Sequence, residues 1–315
     1  MKIIVIGGTG HVGTYLIPRL VIEGHEVICI TRQKRQPYQQ HNAWKSVRQI
    51  AIDRIEAERE NRFGEILAAL SPDVVIDMIC FEPDSAKSLA VALTGKIQHF
   101  LHCGTIWVHG YSTQVPTTES QYRRPFGDYG IKKAEIESYL LSCSRQNGFP
   151  ATILHPGHIV GPGWIPLNPS GNFNPEVFRK LSRGEEIILP NLGMECVHHV
   201  HADDVAQALV QAINHRSGSI GESFHIVSDQ ALTLRGYAEA MSRWFGREPN
   251  LKFLPWEEWK NNVSKTDADY TWDHIAHSPN CSIEKARKII EYSPRYSSLQ
   301  AVQEAIDHLV KNNSL

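Results

Sequence analysis

The stretch Lys2-Ile3-Ile4-Val5-Ile6-Gly7-Gly8-Thr9-Gly10-His11-Val12-Gly13 decides the fold. Five residues of near-continuous apolarity end at a glycine-rich turn, and an amphipathic pattern begins where the glycines stop. That order predicts a buried strand, a tight turn and a helix. Glycines at 7, 10 and 13 let the chain turn, let its backbone approach a pyrophosphate, and let the helix pack on the strand. The free amides of the helix N-terminus would then face the phosphates of a dinucleotide. A glycine motif alone is weak, but between a strand and a helix it stands in the context that gives it meaning. No Gly-Lys-Ser/Thr follows, which disfavours a nucleotide-hydrolase loop.

Working outward, the same alternation recurs. Strands are expected at Lys2–Ile6, Glu26–Ile30, Val47–Ile52, Asp73–Ile79, Ile97–Cys103 and Thr152–Leu154. Helices are expected at Val12–Glu23, kinked at Pro18, and at Arg54–Leu70, Ser85–Leu93 and Tyr129–Arg145. Strands of continuous apolarity separated by helices indicate a parallel sheet covered on both faces. The fold class is therefore α/β, doubly wound. Beyond Gly161 the texture changes to a proline-rich loop, short mixed elements, and helical patterns at Thr233–Phe245, Pro255–Asn261, Ser282–Glu291 and Leu299–Val310. The division expected is a dinucleotide-binding domain of residues 1–160 plus about 196–228. A smaller mixed α/β substrate lobe takes about 161–195 plus 229–315.

The 315 residues carry 32 basic and 34 acidic side chains, a net charge of −2. No polycationic field is present to attract nucleic acid or an anionic membrane. No run approaches the roughly 18 apolar residues of a membrane span, and Ile3–Ile6 is too short for a signal-peptide core. The six cysteines are scattered without a Cys-x-x-Cys pair, as expected of reduced thiols in a cytoplasmic protein. His198, His199 and His201 are dense, yet neighbours in sequence point apart and no thiol or carboxylate spacing completes a zinc shell. No metal is expected.

The end of the second strand selects the cofactor. Asp or Glu there would hold a ribose 2′-hydroxyl; this chain has Thr31, Arg32, Lys34 and Arg35. With no carboxylate to repel a 2′-phosphate and Arg32 and Arg35 placed to pair with one, NADP is preferred and NAD is the possible substitute. Asp53 is placed to receive the adenine amino group. Further on, Tyr129 and Lys133 stand at i and i+4 and share a helix face. The ammonium would favour the phenolate and make Tyr129 an acid/base near neutral pH, with Thr105 bonding the reacting oxygen.

These motifs resemble the extended short-chain dehydrogenase/reductase superfamily, in its NAD(P)-dependent epimerase/dehydratase branch. The resemblance runs through Gly7–Gly13, Thr105 ahead of Val108-His109-Gly110, Tyr129 and Lys133. It continues through His155-Pro156-Gly157 to Gly161-Pro162, then Val200–Ala206 and Cys281–Val310. It implies a Rossmann domain and a catalytic triad of Thr105, Tyr129 and Lys133, with Lys133 also holding the nicotinamide ribose. It implies cofactor contacts from Gly7, Thr9, Gly10, His11, Val12, Gly13, Pro156 and His158, and a homodimer through the helices near 85–93 and 129–145. The substrate implied is a small molecule, a sugar-like and nucleotide-activated one, oxidised or reduced at a hydroxyl/ketone carbon.

The chain also departs from the pattern. Ile106 and Trp107 replace the acidic pair of the sugar dehydratases, which argues against 4,6-dehydration. The arginine that clamps a substrate diphosphate falls at Val197, and His109, His155 and His158 stand where Tyr, Arg and Asn are usual. Arg179 and Arg183 would rebuild the clamp. Otherwise the substrate is smaller and uncharged, held by Trp107, Trp164, His158 and Asn172, with His109 nearby. The alternatives are a small-carbonyl NADPH reductase, or a non-catalytic dinucleotide-sensing or RNA-associated member of the fold.

Overall fold

The computed structural model describes residues 1–315. Strand β1 (Lys2–Ile6) passes through the glycine turn into α1 (Gly13–Ile22), and β2 (Glu26–Thr31) follows. A long loop leads to β3 (Arg48–Ala51), then α2 (Arg54–Arg59), α3 (Phe63–Ala69) and β4 (Val74–Asp77). Next come α4 (Pro83–Leu93), β5 (His99–Cys103), α5 (Gly127–Asn147) and β6 (Ala151–Pro156). Strand β7 (His158–Val160) leaves the sheet, and α6 (Glu176–Arg183), β8 (Ile187–Pro190), β9 (Cys196–Val197) and β10 (His199–His201) follow. The chain returns through α7 (Ala202–Asn214), the single turn α8 (Arg216–Ser219) and β11 (Ser223–Ile226). It ends with β12 (Leu232–Thr233), α9 (Leu234–Trp244), β13 (Leu251–Leu254) and α10 (Trp256–Trp259). Helices α11 (Lys265–His277), α12 (Glu284–Ile290) and α13 (Ser298–Lys311) close the chain.

Seven strands form one sheet in the order β11-β6-β5-β4-β1-β2-β3, and every neighbouring pair is parallel. Side chains alternate across it. Ile3 and Val5 join a core with α1 and α7, while Ile4 and Ile6 join a second core with α4 and α5. Both faces are thus buried, which is why these strands read as continuous apolar runs. A third core gathers Phe178 and Leu181 of α6, Leu189 of β8, Tyr237 and Met241 of α9, and Ile306 of α13.

Several expectations need correction. The helix expected over Arg54–Leu70 is two, because the chain breaks at Asn61, whose φ is 55°. The boundary at 229 does not hold for Cys281–Tyr292. Cys281, Ile283, Ala286, Ile290 and Tyr292 pack into the sheet core beside Phe224 of β11, and Tyr292 donates to the Val227 carbonyl. That apolar face is what covers the edge of the sheet. Asp203 and Asp204 stand in the first turn of α7, past its cap at His201. His201 accepts the Asp203 N–H, while Asp203 binds Arg19 and Arg295. Helix α11 was not expected at all, although Ser264 caps it by accepting from Asp267 N–H, a signal that Ser-x-x-Asp provides.

Burial of histidine is a property of the whole interior. It pushes His198, His274 and His277 down to about 4 and His99, His109 and His199 to about 3. Each is neutral in the folded chain and titrates near 6.5 when unfolded. Their folded values are depressed, so the associated stability is present above pH 6.5 and is lost as pH falls toward 4 and 3. The expected outcome is a Tm that is level above pH 6.5 and falls progressively below it. A Tm unchanged from pH 7 to pH 4 would show that these imidazoles are not buried as described.

Candidate active site

The strand order reverses between β1 and β4, which opens a crevice at the carboxyl ends of the strands. The glycine turn lies there. Gly7 has a φ of 87°, and a Cβ on it would meet Ile79 at 2.7 Å. A Cβ on Gly13 would stand 2.0 Å from the Gly8 carbonyl oxygen, so only glycine lets α1 start this close to β1. The amides of Thr9, His11 and Val12 find no acceptor within the chain. Free amides at a helix N-terminus, beside a glycine cradle, fit the pyrophosphate of a dinucleotide.

Three rings lie over this turn. The His11 ring stacks on Trp164 at 3.6 Å between centroids, 6° from parallel, and its Nε2 meets the Tyr38 hydroxyl at 2.8 Å. Burial, then the Arg35 charge, lower His11 to about 4, so it offers a neutral ring. Trp164, expected at the substrate mouth, is instead a cover on the glycine turn, because the loop after β7 packs on His11 and Tyr38. Thr31 is buried and its hydroxyl accepts the Gln33 N–H at 3.0 Å. Arg32, Lys34 and Arg35 are exposed beyond it. Asp53, expected at the adenine, commits Oδ1 to capping α2 through the Ile55 and Glu56 amides.

At the ends of β4 and β5 the triad residues come together. Lys133 is 2 % exposed and donates to the Cys80 and Cys103 carbonyls at 2.8 and 2.7 Å. Its Nζ lies 6.0 Å from the centre of the Tyr129 ring. The Thr105 hydroxyl lies against the Tyr129 phenol and eases its ionisation. Burial, then Cys103, nevertheless push the phenol up to about 12. The expected depression by Lys133 is therefore corrected: the ammonium is held by main-chain carbonyls, and desolvation of the phenolate dominates.

Thr105 is fixed from behind. Its N–H donates to His155 Nδ1 at 3.0 Å, and His155 Nε2 donates to Glu137 Oε1 at 3.0 Å. Arg123 holds the same carboxylate through Nε and Nη2. Burial alone would raise Glu137, but His155 and Arg123 hold it well below the usual carboxylate range. Gly104 is required here, since a Cβ would meet His155 Nδ1 at 2.4 Å.

Trp107 is the centre of an aromatic cluster. It stacks on His277 at 4.1 Å and meets Tyr129, His158 and His274 edge-on at 5.9, 6.3 and 5.2 Å. His274 and His277 come from α11, and sequence reasoning missed them together with that helix. Pro156 ends β6 just before this cluster. His109, expected beside Trp107 at the substrate, faces the other way: its Nε2 meets His225 Nε2 at 2.8 Å on β11. Asn172 is 2 % exposed and bonded to Asn168, Asn174 and Thr271. It lines a cavity of about 330 Å³ with Glu176, Lys180 and Asp267. Arg179 and Arg183 do not line it; they pair with Glu176 and Glu185 on the exposed side of α6. Phe178 and Leu181 fill the core side of that helix, and Glu176, Val177 and Lys180 are its residues on the cavity. No three His, Cys, Asp or Glu side chains are grouped to hold a metal ion, and no helix is long and apolar enough to cross a membrane.

The chain resembles known proteins in sequence and in fold. A family model described as the NAD dependent epimerase/dehydratase family matches residues 3–226. The chain is 26% identical to the chloroplast stem-loop binding protein of 41 kDa b from Arabidopsis thaliana, over 96% of this chain and 78% of that one. It is 25% identical to 2'-dehydrokanamycin reductase from Streptomyces kanamyceticus, over 87% and 76%. The UDP-glucose 4-epimerase of Thermotoga maritima, solved with UDP-glucose, superposes with a TM-score of 0.75 at 20% identity, covering 99% of this chain and 100% of that one.

The raised phenol gives a direct test. Ultraviolet difference titration of the native protein against Tyr129→Phe is expected to show this tyrosine ionising only above pH 10. A Tyr129-specific transition below pH 9 would show that the lysine charge outweighs burial.

Proposed function

The chain belongs to the NAD-dependent epimerase/dehydratase family, and on that premise we propose that it moves a hydride at a hydroxyl/ketone carbon of a sugar-like substrate, with Tyr129 as the acid/base. One observation carries the reading. Thr105, Tyr129 and Lys133 meet at the mouth of the same crevice that holds the free amides of the glycine turn. Families of this kind contain epimerases, dehydratases and reductases, and Ile106 and Trp107 leave no acid–base pair for dehydration.

When bound, a nicotinamide dinucleotide supplies or accepts the hydride. The protein's part is positioning and proton transfer. The Thr105 hydroxyl holds the substrate oxygen beside the Tyr129 phenol. In reduction that phenol donates its proton to the oxygen as the carbonyl becomes an alkoxide; in oxidation it must first be a phenolate. A phenol pushed up to about 12 holds its proton at neutral pH, the state that the reductive step uses. Lys133, freed from the two carbonyls, is the group able to reach a ribose hydroxyl. The buried His155–Glu137–Arg123 chain keeps Thr105 from drifting.

NADP is the preferred cofactor in this reading, because Thr31 is neutral and Arg32, Lys34 and Arg35 have no ionic partner within the chain. An RNA-associated role is the alternative, prompted by the relative named for stem-loop binding. A net charge of −2 and the assembled Thr105–Tyr129–Lys133 group both weigh against it.

Arg32→Ala should narrow the preference for NADP over NAD about tenfold or more, since hydrogen bonds to charged groups contribute about 1.5–3 kcal/mol. Calorimetry finding NAD bound as tightly as NADP by the native protein contradicts this choice. Tyr129→Phe should abolish turnover across a carbonyl and sugar panel while leaving NADP affinity intact, and Lys133→Met should damage both. Substantial turnover by Tyr129→Phe would remove the acid/base assignment.

A further inference from the structure

Tyr129, Lys133 and Glu137 stand at i, i+4 and i+8 of α5 and form one stripe of that helix. The first two belong to the proposed reaction. Glu137 lies behind it, the one acid of α5 turned inward, since Asp128 and Glu135 are exposed. Its Oε1 accepts from His155 Nε2 at 3.0 Å and from Arg123 Nη2 at 2.8 Å, and its Oε2 accepts from Arg123 Nε at 3.1 Å. A buried pair of this kind adds little net stability, because desolvation offsets the attraction. What it does supply is geometry, since the guanidinium fork meets a carboxylate in a fixed arrangement.

Two arms lead from Glu137 to the two reacting hydroxyls. The first is short. His155 Nδ1 accepts the Thr105 N–H at 3.0 Å, so the imidazole proton sits on Nε2 and points at Glu137. Thr105 is thereby held by its main chain while its hydroxyl lies against the Tyr129 phenol. The second arm runs through Arg123, whose Nη1 donates to the Glu119 and Gln121 carbonyls at 2.6 and 2.9 Å. These bonds curl the loop that leads into α5. Directly after it, the Arg124 N–H donates to the His109 carbonyl at 3.4 Å, in the turn that Thr105 caps. On the other side, a Cβ on Gly130, next to Tyr129, would stand 3.7 Å from Pro125 and 3.3 Å from the Trp107 carbonyl oxygen. The loop is therefore clasped between the turn after Thr105 and the first turn of α5.

We propose that Glu137 is a positioning residue for the proton transfer: through His155 it sets Thr105, and through Arg123 it sets the loop that seats Tyr129. One carboxylate thus fixes the spacing of the two hydroxyls between which the substrate oxygen would lie. This rests on the reaction proposed at Tyr129 and adds to it a residue that never touches the substrate.

The decisive test needs no substrate. The protein is labelled with ring-fluorinated tyrosine and followed by fluorine NMR, the Tyr129 resonance being identified by its loss in Tyr129→Phe. Thr105→Ala removes the hydroxyl beside the phenol and gives the shift that marks a broken contact. Glu137→Gln is expected to move the same resonance in the same direction, and the double variant to move it by less than the sum of the two. Arg123→Met cuts the second arm alone, and keeps the question open to measurement if Glu137→Gln does not fold. On the carbonyl and sugar panel with NADPH, both variants are expected to lower kcat about tenfold or more with KM and NADPH affinity unchanged. General loosening of the fold would not produce that split. A Tyr129 resonance that stays in place in Glu137→Gln and Arg123→Met overturns the proposal. So does a fully additive double variant, or a loss that falls on KM or NADPH binding instead of kcat. The failures are separable: a native protein that turns over nothing on the panel removes the reaction at Tyr129, while the resonance alone decides whether Glu137 holds the two hydroxyls together.

Discussion

Helix α1 meets the end of β1 with no room for a side chain, since a Cβ on Gly13 would overlap the Gly8 carbonyl oxygen at 2.0 Å. Much of the molecule follows from that contact. It fixes α1 against the sheet, where Leu16, Ile17 and Leu20 complete one core. It also leaves the amides of Thr9, His11 and Val12 without an acceptor in the chain. The same closeness brings His11 to the surface of the turn, where Trp164 and Tyr38 close over it. Three loops distant in sequence are thereby joined over the site that suits a pyrophosphate.

How far this could be read from the chain depends on the kind of signal. The parallel sheet was legible because burial on both faces leaves a trace in every strand, and the glycine turn because its spacing has a steric cause. The position of Tyr129 over Lys133 followed from helical geometry. What the sequence hid were quantities set by packing across long separations. Nothing local to Tyr129 reveals that Lys133 will find the Cys80 and Cys103 carbonyls, so the direction of the phenol's shift was misread. Nothing near Trp107 announces that α11 will bring His274 and His277 against it. Arg179 and Arg183 share a helix face with each other, but periodicity alone does not say which face Phe178 and Leu181 reserve for the core.

Several buried imidazoles are held in one hydrogen-bonding state by the groups around them. His155 must accept at Nδ1 because Thr105 donates there, and must therefore donate at Nε2 to Glu137. His225 donates at Nδ1 to the Ser282 carbonyl, so its Nε2 accepts from His109. A main-chain partner chooses the tautomer in each case, and the tautomer decides what the far nitrogen can do.

The same logic bears on the direction of the chemistry. An acid must hold its proton until the substrate oxygen takes it, and Tyr129, with a phenol near 12, does so without help. A base must lose it first, which requires a positive charge brought close to the phenolate. Lys133 is the one ammonium within reach, and two carbonyls compete for it. On the proposed reaction, a phenol that keeps its proton suits the donating step, and the accepting step needs Lys133, now held by the Cys80 and Cys103 carbonyls, brought toward the tyrosine ring 6.0 Å away.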